Sequence, residues 1–145
     1  MTVWVDHAQR TLEDAGYRQS TPRAAVMGAL ADIGCSVTAQ EIADRLRDRG
    51  EAVGVASIYR ALQLLDELRL VRRVDVGEAV ARYEPVSPDG EHHHHLLCEG
   101  CGEVRAFEDP ELERAIERLS GRVEYAIDAH EVTLRGRCPA CVAGT

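Results

Sequence analysis

ASIYRALQLLDELRLVRRVDVGEAVARYE, residues 56–84, is the stretch on which the fold turns. Ile58, Leu62, Leu65 and Leu68 recur at three- and four-residue spacing, which lays one apolar stripe along a helix. Tyr59 and Arg60 fall off that stripe and are expected to face water. After the helix, residues 70–74 and 80–83 are β-prone with Gly77 between them, the pattern of a hairpin.

Upstream, the chain reads as three more short helices. One spans about residues 7–15 and stops at Gly16. Thr21-Pro22 supplies an N-cap and a first-turn proline for a second, which runs to about Leu30. Thr38-Ala39-Gln40-Glu41 is a capping-box pattern that opens a third, ending near Arg49-Gly50. Short helices closed by a two-stranded hairpin are the plan of a winged helix-turn-helix, although helices plus a hairpin also describe other small domains.

Downstream, Pro85-Val86-Ser87-Pro88-Asp89-Gly90 is rich in turn residues and forms the best linker. Beyond it, residues 96–98 and 104–107 are expected as strands, and 110–119 as a helix capped by Asp109. Residues 123–135 alternate enough for one or two further strands. The expected fold class is therefore α+β. A winged helix-turn-helix over 1–84 is followed by a hinge linker at 85–90 and an α/β unit over 91–145. Two halves of this size are each marginal, and a metal or a partner chain usually stabilises domains so small.

Net charge is −8, which argues against a nucleic-acid binder until its distribution is seen. Residues 1–82 hold 11 Arg against 12 Asp and Glu, a net −1, whereas 83–145 hold 6 against 13, a net −7. The acidity is thus concentrated away from the helical half. There is no lysine, so every fixed cation is a guanidinium, a group well suited to phosphate. No apolar run is long enough for a membrane span. The opening MTVWVDHAQRTLEDAG lacks a basic start followed by an apolar stretch, so a cytoplasmic protein with reduced thiols is expected.

Those thiols carry the strongest chemical signal. Cys98-Glu99-Gly100-Cys101 and Cys138-Pro139-Ala140-Cys141 are two CxxC knuckles, and two knuckles complete a tetrahedral four-cysteine set for zinc. The competing possibilities are two disulfides or a redox motif. His92-His93-His94-His95 lies just before the first knuckle. If this stretch is extended, His93 and His95 point one way and His92 and His94 the other, enough for two metal sites; otherwise it is a solvated loop. An enzyme is not expected. The zinc deaminase pattern fails, because His130 and Glu131 are adjacent and Arg137 precedes Cys138. No H-E-x-x-H, G-x-S-x-G or P-loop occurs.

Together these pieces resemble the ferric uptake regulator superfamily of bacterial metalloregulators. The similarity covers nearly the whole chain. It rests on Gly16-Tyr17-Arg18 before Thr21-Pro22-Arg23, on Ala56-Ser57-Ile58-Tyr59-Arg60-Ala61-Leu62, on HHHHLLC at 92–98, and on the closing Cys138–Cys141 knuckle. The resemblance implies a homodimer joined through the C-terminal α/β domain, which represses genes by binding palindromic operator DNA when loaded with metal. It implies that the helix at 56–68 reads DNA, with Tyr59 on bases, Arg60 on phosphate and Ser57 beside them, and that Arg18 reaches a minor groove. Tyr59 as a core aromatic and Arg60 as a solvated charge are the plainer alternatives.

For metals, the resemblance assigns Glu84, His93 and His95 to a hinge sensing site, and His92, His94, Glu113 and His130 to a second site. Glu113 as a surface charge and His130 as a strand filler are the plainer alternatives. Two departures stand out. Where many iron-type relatives place a hinge histidine, this chain has Ser36, preceded by Cys35; either Cys35 substitutes or the first half contributes no ligand there. A Cys35 thiolate would favour zinc over iron; the expected regulatory ion is Fe(II) or Zn(II), with nickel and manganese behind. Ala106 stands where peroxide-sensing relatives need an acidic ligand, which argues against peroxide sensing. The rival function is a zinc buffer or chaperone without DNA binding, which would leave Tyr59 and Arg60 unexplained.

Overall fold

The computed structural model describes residues 2–77, 79–88 and 93–144. His92 and the linker residues Asp89 and Gly90 lie outside the described residues. The chain divides into two units, Met1–Glu91 and His92–Thr145.

The first unit opens with α1 (Thr2–Asp14), which starts well before the expected His7. Trp4, Ala8 and Leu12 lie one turn apart and are all buried. The Trp4 indole N–H donates to the Leu70 carbonyl at 3.0 Å, a contact from far along the sequence that anchors the extra turn. Next comes α2 (Thr21–Ile33). Its N-cap is Ser20, not Thr21: the Ser20 hydroxyl accepts from the Arg23 amide at 3.3 Å, and Pro22 sits in the first turn, where no donor is needed. The helix outruns Leu30 because its stop is Gly34, in the left-handed region at φ 71°.

A short strand, β1 (Val37–Thr38), leads into α3 (Ala39–Asp48), where the Thr38 hydroxyl accepts from the Glu41 amide at 3.1 Å, as the capping pattern predicts. The helix α4 (Val55–Glu67) buries Ile58, Ala61, Leu62 and Leu65. These meet Met27, Leu30, Ile42 and Leu46 in the unit's core. Each of the Ile, Leu and Met side chains contributes about 1.5–3 kcal/mol on burial. The hairpin follows as β2 (Val71–Val74) and β3 (Arg82–Pro85), with β3 displaced from the expected 80–83. It is the central strand of a sheet ordered β1-β3-β2, so two partners set its limits rather than its own propensity. Helices closed by this small sheet form the winged helix.

The second unit contains β4 (His94–Cys98), β5 (Val104–Phe107), α5 (Pro110–Ser120), β6 (Thr133–Gly136) and the short α6 (Pro139–Ala143). Asp109 caps α5, its carboxylate accepting from the Glu111 amide at 2.9 Å. The sheet order is β5-β4-β6, antiparallel between β4 and β5 and parallel between β4 and β6. Of the strands expected in 123–135, only β6 forms. The alternating Val123, Tyr125 and Ile127 stay exposed, with no strand beside them among the described residues. Among the described residues of this unit only His94, His95, Leu97 and Cys98 are buried. No helix among the described residues is long and apolar enough to cross a membrane.

Candidate metal centres

The parallel pairing of β4 with β6 builds the thiol cluster. Cys98 lies across from Gly136, so both strands end at the same edge and each runs directly into a knuckle. Cys98 Sγ is 3.6 Å from Cys141 Sγ, Cys101 Sγ is 3.9 Å from Cys138 Sγ, and all four sulfurs lie within 4.8 Å of one another. A tetrahedral ion with Zn–S bonds of about 2.3 Å holds its sulfurs roughly 3.8 Å apart. All four cysteines are free rather than bridged. The donor set fits a structural zinc.

The local backbone favours that ion. The Cys138 and Cys101 amides donate to Cys98 Sγ at 3.3 and 3.4 Å, and these bonds lower the Cys98 thiol to about 6. Cys141 is pushed up to about 12, because its sulfur shares hydrogen bonds with those of Cys98 and Cys138. A metal replaces the protons that such crowded sulfurs would otherwise share. Gly100 is required by space: a Cβ there would lie 2.9 Å from Cys141 Sγ and 3.2 Å from its Cβ. Gly100→Ala is therefore expected to weaken zinc binding by about 10–100-fold, the range for disturbing the surroundings of metal ligands. Competition with a chromophoric chelator measures this; parent-like affinity would show that the knuckle yields without loss.

The four residues expected at the hinge fall into two pairs, one in each unit. In the first unit, Cys35 Sγ and the Glu84 carboxylate come within 4.8 Å of each other. Glu84 is 2% exposed, and Arg72 on the neighbouring strand holds its Oε1 through Nε at 2.7 Å. Ser36 is buried with no hydrogen-bond partner for its hydroxyl among the described residues. In the second unit, His93 and His95 bring ring nitrogens within 4.8 Å of each other, with the rings edge-on at 5.2 Å between centroids. Ala106, directly across from His95 on β5, offers no ligand atom.

His94 points away from that pair, as strand alternation requires, and meets Glu113 of α5 and His130. Glu113 lies 3.3 Å from His94 Nε2, and its Oε2 is 2.9 Å from His130 Nε2. The Val132 amide donates to His94 Nδ1 at 3.3 Å, so the ring proton sits on the Nε2 that faces Glu113. Burial raises the Glu113 carboxyl, but the hydrogen bonds from His130 and His94 outweigh it and hold the carboxyl below its usual value. This link stabilises the fold above the ordinary carboxylate range and is lost as pH falls through the lowered value. The expected fourth member, His92, lies outside the described residues.

The family model of the ferric uptake regulator family matches residues 14–135. The chain belongs to the ferric uptake regulator family. It is 29% identical over 139 residues to the ferric uptake regulation protein of Bacillus subtilis, covering 94% of this chain and 93% of the relative. It is 30% identical over 135 residues to the peroxide operon regulator of the same organism, covering 92% and 90%. Among solved structures it is similar to the Vibrio cholerae ferric uptake regulator, with a TM-score of 0.77, 29% identity, and coverage of 89% of this chain and 98% of that one. Members of this family are metal-responsive transcriptional regulators, and so is this chain.

The residues expected from the sequence to read DNA lie on α4 and in the loop before α2. Tyr59 is 48% exposed and Arg60 is exposed beside it, so neither belongs to the core. Arg60 Nη2 donates to the Ser57 hydroxyl at 3.1 Å, which ties two of the four residues together. Arg18 is exposed, and its carbonyl accepts from the Arg23 guanidinium. Arg23 in turn lies 6.0 Å from the Tyr17 ring centroid. Sequence reasoning missed Arg72 and Arg82. The latter is buried on β3 and is held by Glu41 of α3 at 3.2 Å. For Arg72 the signal was the β-prone pattern, which sets Glu84 across from it in the hairpin; Arg82 meets Glu41 from a distant helix, which no local pattern shows.

Proposed function

We propose that the chain is a homodimeric repressor that binds palindromic operator DNA when a hinge site is filled by Fe(II) or Zn(II), with a structural zinc held by Cys98, Cys101, Cys138 and Cys141. The single observation that carries DNA reading is the division of α4: Ile58, Ala61, Leu62 and Leu65 are committed to the core, which leaves Tyr59 and Arg60 outward. An aromatic ring suits thymine methyl groups, and a guanidinium suits phosphate.

The dimer is supported by the second unit. Leu119, Tyr125, Ile127 and Leu134 are all exposed in a unit whose described residues form almost no core, and the alternating 123–127 segment has no described strand beside it. A second copy would cover this apolar surface, and two-fold symmetry would then match two DNA arms to two half-sites. The hinge is supported by the two ligand pairs, Cys35 with Glu84 and His93 with His95, which belong to units joined by a short segment. One ion taking all four would fix the angle between arm and dimer. The Vibrio cholerae relative's structure is described as revealing a rearrangement of its DNA-binding domains, which suits such a hinge. A 100-fold gain in operator affinity needs about 2.7 kcal/mol of coupling, an ordinary allosteric magnitude. A second ion would be held by His92, His94, Glu113 and His130, through the His94 Nε2 that already faces Glu113.

A gel shift with promoter DNA, with and without metal, tests the whole. Absence of any metal-dependent shift would favour a zinc buffer instead. Arg60→Ala is expected to weaken binding to every sequence and to lower the salt slope by about one. Tyr59→Ala is expected to erode discrimination between operator and random DNA while leaving the slope unchanged. If salt-titrated binding finds both variants equal to the parent, α4 is not in the interface.

A further inference from the structure

Glu84 already has a cation. It faces Arg72 directly across the β2–β3 pair. Arg72 Nε donates to Oε1 at 2.7 Å, and Nη2 lies 2.6 Å from the same oxygen. The carboxylate is 2% exposed, a depth at which an unpaired charge is strongly unfavourable, and the Arg72 side chain is 30% exposed. Arg82, on the same strand as Glu84, is engaged with Glu41. The wing hairpin thus places a permanent positive charge on the very carboxylate that lies beside the Cys35 thiol.

We infer that Arg72 is a built-in competitor of the regulatory metal, setting the concentration at which the hinge fills; the inference rests on Glu84 being a ligand. In the metal-free chain the guanidinium neutralises Glu84 and stabilises the wing. A divalent ion held by the Cys35 thiolate, the Glu84 carboxylate and two neutral imidazoles would form a neutral centre. Arg72 leaves that centre with one positive charge too many. A guanidinium cannot shed its proton, so the repulsion is present at every pH the protein meets. Its partial exposure gives it a way out: when the ion arrives, the fork can turn toward water while the carboxylate stays. A group that merely orients the carboxylate would act in the opposite sense, strengthening metal binding. The two roles therefore predict opposite signs.

The test uses the full chain with its four-cysteine zinc in place, titrated with buffered Zn(II). Arg72→Gln is expected to bind the regulatory zinc about tenfold more tightly. The same variant, free of regulatory metal, should melt a few degrees lower, about the shift expected when a buried carboxylate loses its partner. Arg72→Lys keeps the charge and should stay near the parent affinity. Arg72→Met keeps the stem and carries the same tenfold expectation if the glutamine variant fails to fold. Unchanged or weaker zinc binding in the neutral variants overturns the competitor role. Glu84→Gln separates the two failures. If it binds regulatory zinc like the parent, Glu84 is no ligand and the hinge assignment falls with it; if it loses that zinc while Arg72→Gln binds no tighter, only the competitor role falls.

Discussion

Cys138→Ser is expected to strip the tightly bound zinc and dissociate the dimer in a single step. Structural zinc in small peptides contributes roughly 10–16 kcal/mol of apparent binding energy, more than the second unit's described core can replace. Among the described residues that core is only His94, His95, Leu97 and Cys98, and the unit's apolar side chains are largely exposed. The cluster joins the end of β4 to the end of β6 and to α6, so opening it frees both strands. Cys98→Ser should behave alike, since Cys98 Sγ accepts the amides of both knuckles. Elemental analysis combined with sedimentation checks the outcome. A Cys138→Ser chain that kept one tight zinc and remained dimeric would falsify the structural role of the cluster.

His93→Ala should give the complementary result, with the four-cysteine zinc retained and the metal dependence of operator binding gone. The expected loss is the full coupling, about 100-fold in affinity. The side chain belongs to the second unit and pairs with His95, whereas Cys35 and Glu84 belong to the first. Removing one imidazole leaves the winged helix folded and the thiol cluster untouched, so a structural explanation is excluded by the retained zinc. Cys35→Ser refines the assignment. A thiolate ligand exchanged for a hydroxyl should weaken zinc much more than iron. A small, half-buried group without a metal role should cost only modest stability. Fluorescence anisotropy on labelled operator, with each metal titrated in turn, reads both variants, and an undiminished metal response in His93→Ala would end the hinge model.

Local signals were legible without the structure because their causes are local. The capping by Thr38 and Asp109, the α4 stripe and the knuckle spacing all depend on residues a few positions apart. The Ser20 cap was misplaced by one residue, since Ser20 and Thr21 are both good caps and only backbone geometry chooses between them. The extra turn of α1 depended on Trp4 finding the Leu70 carbonyl, a partner that no local window contains.

By itself, then, the sequence determined the α+β class, the outward placement of Tyr59 and Arg60, the thiol set, and the alternation that turns His94 away from His93 and His95. Tertiary structure alone decided the pairings between distant segments. It made β4 and β6 parallel, which brings Cys98 and Cys138 to one edge. It left residues 123–127 without a described strand beside them, and it set Cys35 beside Glu84 with Arg72 across from that carboxylate. The physical reason is range: caps and helical stripes are written in steps of three or four residues, whereas strand register and buried ion pairs are fixed only when packing brings distant segments together.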